Sequence, residues 1–202
     1  MIDWNTGKIT RHAMRAAGPS WSLISAGDWA AIGGFAEEML RAPTAPYGEL
    51  LAVIQGADLA LVNLETVLSE RGTPIIKEGP NLRGPAEAIR SLVEAGFHVA
   101  ILANNHVRDY GREALEDTLR LCRDNGIQTV GAGLTLEEAW KPAYVETKGA
   151  RVAILALAER EEAAFWPGMD AGAAAWDIAR AVDAVRKAKQ GASATILMCR
   201  WA

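Results

Sequence analysis

Cysteine and histidine are scarce in this chain, at two and three in 202 residues, so a disulfide framework or a cluster of thiolate and imidazole metal ligands has little to be built from. Cys122 and Cys199 are far apart. Cys122 also falls on the apolar face of a predicted helix with Leu115 and Leu119, at i, i+4 and i+7, which reads as a buried free thiol. Of the histidines, His12 lies in a polar leader and His98 inside an apolar run, where a core or surface role accounts for it. No window reaches the 18 or more apolar residues of a membrane span. Met1 to Ser20 carries Asp3, Lys8, Arg11, His12 and Arg15 and so lacks the apolar core of a signal peptide, which makes the cytoplasm the expected address. Basic charge is not in excess: the net charge of −4 offers no electrostatic footprint for nucleic acid. Neither Gly-x-Gly-x-x-Gly nor a P-loop follows the first strand, against a doubly wound nucleotide binder. The seven tryptophans show no periodicity, as expected of core and rim packing rather than a stacking platform.

What is present is a soluble globular composition, half hydrophobic and 23% charged, with no repeat or low-complexity tract. Strand candidates recur at α/β spacing: Ser22–Ala26, Ala57–Asn63, Phe97–Ala103, Ile127–Val130, Arg151–Leu157 and Ala194–Cys199. Most are continuous apolar runs, as when both faces of a parallel sheet are covered. Helical periodicity predicts segments at Tyr47–Gln55, Ala86–Ala95, Arg112–Asn125 and Ala175–Lys189, with Gly96 and Gly126 placed for left-handed caps. Ala143–Thr147 and Arg151–Leu157, joined by Lys148-Gly149-Ala150, predict an antiparallel hairpin. The fold class is α/β, with mostly parallel strands and flanking helices.

Three strand ends carry polar groups that their apolar surroundings do not explain. Asp28 follows Ser22–Gly27, Asn63 and Glu65 close the second strand, and Asn104-Asn105-His106 closes the third with Asp109-Tyr110-Gly111 behind it. If the strands are parallel neighbours, their C-terminal ends bring Asp28, Glu65, Asn105 and His106 to one edge, where open α/β sheets bind ligands. Two unpaired carboxylates there would repel, and a divalent cation between them removes the conflict. Oxygen ligands suit Mg, Mn or Ca, and an added imidazole widens the range to Zn and Fe. Each residue has a plainer reading: Asp28 as a cap, the asparagines as a turn that caps the next helix, Glu65 as the partner of an arginine. The long polar loop Gly72–Gly84 contributes Lys77, Asn81 and Arg83. These would hold a phosphate or carboxylate, or else are solvated charge.

With those residues on the page, the chain resembles the bacterial capsule-synthesis CapA family, linked to poly-γ-glutamate production and related in fold to calcineurin-like metallophosphoesterases. The matching stretches include Gly27-Asp28, Asn63-Leu64-Glu65, Lys77-Glu78-Gly79-Pro80-Asn81-Leu82-Arg83-Gly84, Leu102-Ala103-Asn104-Asn105-His106, Asp109-Tyr110-Gly111 and Gly131-Ala132-Gly133. Ala158-Glu159 and Pro167-Gly168 extend them. The resemblance implies a layered metallophosphatase-like sandwich with a polar leader at 1–20 and the N-terminal part of the family domain at 21–202. It implies Asp28, Glu65 and Asn105 as metal ligands and His106 as the catalytic imidazole. Lys77, Asn81, Arg83 and Asn104 become substrate-binding residues for a small or polymeric anionic substrate. One or two ions of Mn, Mg, Zn or Fe would lower the pKa of a bound water and polarise the scissile bond.

The chain also departs from the pattern. Trp29 and Ala30 follow Asp28 in place of an Asp-x-His motif, and Arg200 stands roughly where the family has a strand-end histidine. A guanidinium stays protonated and cannot ligate a metal. The expectation is therefore a C-terminally shortened site with weak metal binding, impaired hydrolysis and an incomplete sheet prone to self-association. The alternative is a non-catalytic module that binds an anionic polymer or a partner through the Lys77–Arg83 loop.

Overall fold

The structure, a computed structural model, describes residues 20–159 and 170–200, together with two short strands, β1 (Ile2–Asp3) and β2 (Lys8–Ile9), that pair antiparallel. The rest of the expected leader and Pro167-Gly168 lie outside the described residues.

A four-stranded parallel sheet forms the first layer, in the order β3 (Leu23–Trp29), β4 (Leu59–Leu64), β7 (Val99–Ile101), β8 (Gln128–Val130). β4 and β7 are buried along their whole length, which is why both read as unbroken apolar runs. Between β4 and β7 lie two short strands, β5 (Val67–Leu68) and β6 (Arg83–Gly84), which pair parallel with each other. In β3 the register shifts between Ser25 and Asp28, a bulge-like irregularity that sets Asp28 opposite Asn63 of β4.

The second layer is the sheet β10 (Ala143–Thr147), β11 (Ala150–Ala158), β13 (Ala194–Arg200). The expected hairpin forms between β10 and β11, and β13 then joins β11 in parallel. Side chains alternate along β11. Val152, Ile154, Ala156 and Ala158 enter the main core with β4 and β7, whereas Ala153 and Leu155 form a smaller cluster with Ala188 of α6 (Ile178–Gln190). Two-residue strands β9 (Ala132–Gly133) and β12 (Gly172–Ala173) pair where the layers meet. Gly131 has φ +87°, and a Cβ there would stand 2.5 Å from the Cβ of Ala103 and 2.9 Å from that of Ala156. Only glycine lets the first sheet approach the second this closely.

The helices complete the layers: α1 (Gly33–Arg41), α2 (Leu50–Gln55), α3 (Ile89–Ala95), α4 (Gly111–Asp124) and the short α5 (Leu136–Ala139). Sequence periodicity missed α1, whose one buried residue is Met39. Of Tyr47–Gln55 only Leu50–Gln55 is α-helical, behind a 3-10 turn at Ala45–Tyr47, and Ala86–Ala95 splits into a 3-10 turn followed by a shorter helix. Gly96 caps α3 in the left-handed region, as expected. Cys122 is buried on α4 and unpaired, and burial pushes its thiol up to about 12.

Candidate functional site

All four strands of the first sheet run the same way, so the loops that leave β3, β4 and β7 emerge at one edge. The anchor of that edge is Asn63. Its Nδ2 donates to Asp28 Oδ1 at 2.8 Å and also to Glu65 Oε2, so one amide separates the two carboxylates. Asn104 is wholly buried and is used at both ends of its side chain. Nδ2 donates to Leu64 O at 2.9 Å and to Asn63 Oδ1 at 3.2 Å, while Oδ1 accepts from His106 N at 3.0 Å. These bonds fix the turn that carries Asn105 and His106.

The imidazole of His106 is oriented by Asp109. Nδ1 lies 2.7 Å from Asp109 Oδ2, within hydrogen-bond distance of that carboxylate, and with the proton on Nδ1 the ring would present its lone pair on Nε2. Nε2 faces Glu65 Oε1 at 3.9 Å. Asp109 is fully buried and also pairs with Lys77 Nζ, whose side chain is 2% exposed. Lys77 Nζ lies 3.1 Å from His106 Nδ1 and donates to the Asn105 carbonyl at 3.3 Å. Asp109 further accepts from Leu82 N, so it pins the whole 72–84 loop against the His106 turn.

The rest of that loop is turned inward as well. Asn81 Nδ2 donates to Ile75 O at 3.0 Å, and Arg83 donates to the carbonyls of Arg71 and Gly72. The Arg83 guanidinium lies 3.6 Å from the centre of the Tyr110 ring. Of the residues expected to contact substrate, Lys77, Asn81, Arg83 and Asn104 thus all hold the loops together.

A further residue enters from the second sheet. Arg200, at the C-terminal end of β13, donates through Nη1 to Asp28 Oδ1 at 2.7 Å and Oδ2 at 2.8 Å, and through Nη2 to Glu65 Oε1 at 2.8 Å. These bonds hold the Asp28 carboxyl below its usual range, with help from Asn63 and against partial burial. Glu65 moves the other way. Burial pushes it up, the charge of Arg200 opposes that rise, and the charge of Asp28 adds to it. The plain reading of Glu65 as an arginine partner is realised alongside its place at the site edge.

Residues 22–202 match the family described as bacterial capsule synthesis protein PGA_cap. The chain belongs to that family. Among curated relatives, PGA_cap residues here are 37% identical over 102 positions to a Mycobacterium tuberculosis protein named "probable polyglutamine synthesis accessory protein", which covers 50% of this chain and 27% of that one. They are 34% identical over 79 positions to the capsule biosynthesis protein CapA of Bacillus anthracis, covering 39% of this chain and 19% of the relative. The PGA biosynthesis protein CapA of Bacillus subtilis is 32% identical over 80 positions, at 39% and 21% coverage. The matches thus span about a quarter or less of each relative. The solved structure of NAD nucleotidase from Haemophilus influenzae shares the fold, at TM-score 0.54 and 17% identity, over 89% of this chain and 34% of the other. The PGA_cap chain accordingly shares its layered α/β fold with part of that protein.

The donor set tests whether a divalent metal fits this PGA_cap site. Both oxygens of Asp28 and both of Glu65 already accept hydrogen bonds from Asn63 or Arg200. Among the described residues no group of three or more His, Cys, Asp and Glu side chains is arranged to hold a metal ion. The buried Asn105 Oδ1 accepts no hydrogen bond, but one amide oxygen does not make a centre. The residues as they stand do not fit a metal. Asn63, Asp109 and Arg200 are the members that sequence reasoning undervalued. Asn63 and Asp109 were visible as polar groups at strand ends, and Arg200 was read only as a lost ligand. Among the described residues, no helix is long and apolar enough to cross a membrane.

Proposed function

We propose that this chain acts in the synthesis or trimming of a capsule-type polyglutamate as a hydrolase-like family member with low intrinsic turnover. The family match and the names of the relatives support the polymer, and the edge of the parallel sheet supports the place of reaction. The observation that carries the chemistry is the His106–Asp109 pair, which aims Nε2 at the carboxylate edge. In this reading water adds across a phosphoester or acyl bond of an acidic substrate. Nε2 takes the water's proton and returns it to the leaving oxygen or nitrogen as that bond breaks. Arg200 and Asn63 hold the Asp28 and Glu65 carboxyls apart and favour their ionic forms, against burial in the case of Glu65. A divalent ion, were Asp28 and Glu65 free to hold one, would lower the pKa of a bound water and so favour hydrolysis at neutral pH. With both carboxylates held by Arg200, that contribution is withheld here and turnover is slow.

The alternative, an anionic polymer held by the Lys77–Arg83 loop, finds less support, because both cations are engaged within the protein. A chromogenic phosphodiester and poly-γ-glutamate, each assayed with and without millimolar Mn, test the proposal. Slow hydrolysis that does not rise with Mn and falls by about a hundredfold in His106→Ala is expected. Mn-stimulated turnover that is lost in Asp28→Ala would overturn it.

A further inference from the structure

Arg200 does more than fill a gap in a ligand list. It stands between two carboxylates that come from different strands, with Nη1 forked on Asp28 and Nη2 on Glu65. Its backbone is held by the β11–β13 ladder, where Arg200 sits opposite Ala158, and its carbonyl accepts from Glu159 N at 3.1 Å. The guanidinium is therefore presented by a strand end rather than by a trailing tail. Glu65 is 6% exposed, and a carboxylate so far out of water requires a counter-charge and hydrogen bonds. The guanidinium supplies both, from within the chain.

We infer that Arg200 is a resident cation occupying the place of a divalent ion between Asp28 and Glu65, and that removing its guanidinium converts this edge into a site for a hard cation such as Mn(II). Planar, delocalised and permanently charged, guanidinium matches carboxylate forks as a metal ion matches their lone pairs. The two occupants use the same oxygen atoms and exclude each other. With Arg200 gone, the Asp28 and Glu65 oxygens that it engages lose that donor and become hard oxygen ligands of the kind that suits Mn or Mg, with water completing the shell. This inference rests on reading that edge as the reaction site, but it concerns ion uptake and needs no turnover.

The test is calorimetric titration of the whole chain with Mn(II), with the paramagnetic resonance signal of free Mn(II) as a second readout and no substrate present. Wild type is expected to show no saturable uptake at millimolar Mn. Arg200→Gln and, as a second variant of similar length, Arg200→Met are expected to bind Mn about tenfold or more tightly than wild type. Adding Asp28→Asn to either should abolish that uptake. Circular dichroism establishes which variants are folded. Saturable Mn binding by wild type that disappears in Asp28→Asn would overturn the inference without any variant at Arg200. A folded Arg200→Gln or Arg200→Met that takes up no more Mn than wild type would overturn it as well. A phosphodiesterase assay on the same samples separates this from the hydrolase reading, which fails if no sample turns over substrate whatever its metal content.

Discussion

Asp109 decides more at this site than any ligand proposed from sequence. Its carboxylate is wholly buried, pairs with a lysine that is almost as buried, orients His106 and receives the Leu82 amide. Breaking a buried pair by removing one partner leaves a charge without compensation, at a cost of about 3–5 kcal/mol. Asp109→Ala should therefore lower unfolding free energy in urea by about that amount, whereas Lys77→Met, which keeps the apolar stem, should cost less than Asp109→Ala. A loss below about 1 kcal/mol for Asp109→Ala would mean that water reaches the cluster. The sequence exposed the polar character of Lys77, Asn81 and Arg83 but not the direction in which they face. A cation in a Gly- and Pro-rich loop reads as solvated until its partner, here Asp109 at 32 positions' distance or the Tyr110 ring, is brought beside it by the fold.

At the scale of elements, one ionic knot ties the start of the long loop to α4. Asp117 accepts from Ser69 Oγ at 2.6 Å and from Arg71 Nη2 at 2.6 Å and Nε at 2.9 Å, with Arg120 adding a further donor. The hydrogen bond from Arg71 leads the effects that lower the Asp117 carboxyl to about 2. Because the folded value lies below the unfolded one, the stabilisation is complete above about pH 4 and disappears as pH falls through about 2. Arg71 is half exposed, so the contribution is discounted to roughly 1–2 kcal/mol. Asp117→Asn should lower stability by that amount at pH 7, and the difference from wild type should vanish in acid. An equal deficit at pH 7 and pH 2.5 would show that the loss lies in packing rather than charge.

The long buried strands and α4 were legible in the sequence because their periodicity or continuous apolarity persists over several residues. β3, the short α5 and α1 were less so. α1 buries one side chain, and Phe35 within it is largely exposed, so no apolar stripe announces it. The bulge that turns Asp28 toward Asn63 also leaves no signature, because it depends on register against β4 rather than on residue type.

For the molecule as a whole, the decisive contact is where the two sheets close on each other at Gly131. A side chain there meets Ala103 from one layer and Ala156 from the other, at a backbone φ that favours glycine. Gly131→Ala is expected to cost roughly 2–4 kcal/mol from combined strain and overpacking, and Gly131→Val more, read as a fall in Tm. An unchanged Tm for Gly131→Ala would mean that the layers can part without penalty. Sequence order predicted that loops from the first sheet share an edge. No local pattern links a β13 residue to β3, so only the family resemblance pointed Arg200 to that edge, as a missing ligand and not as the partner of Asp28 and Glu65.

Asp28 and Arg200 are 172 positions apart, so their junction ties almost the first described strand to the last. Closing so long a loop is entropically unrewarded until the intervening layers have docked. The junction is thus a latch that engages only after the rest of the chain has found its place, and any fraying of β13 releases it before the core yields. Solvent exchange at this latch would therefore report the fraying of β13 ahead of any loss of the core.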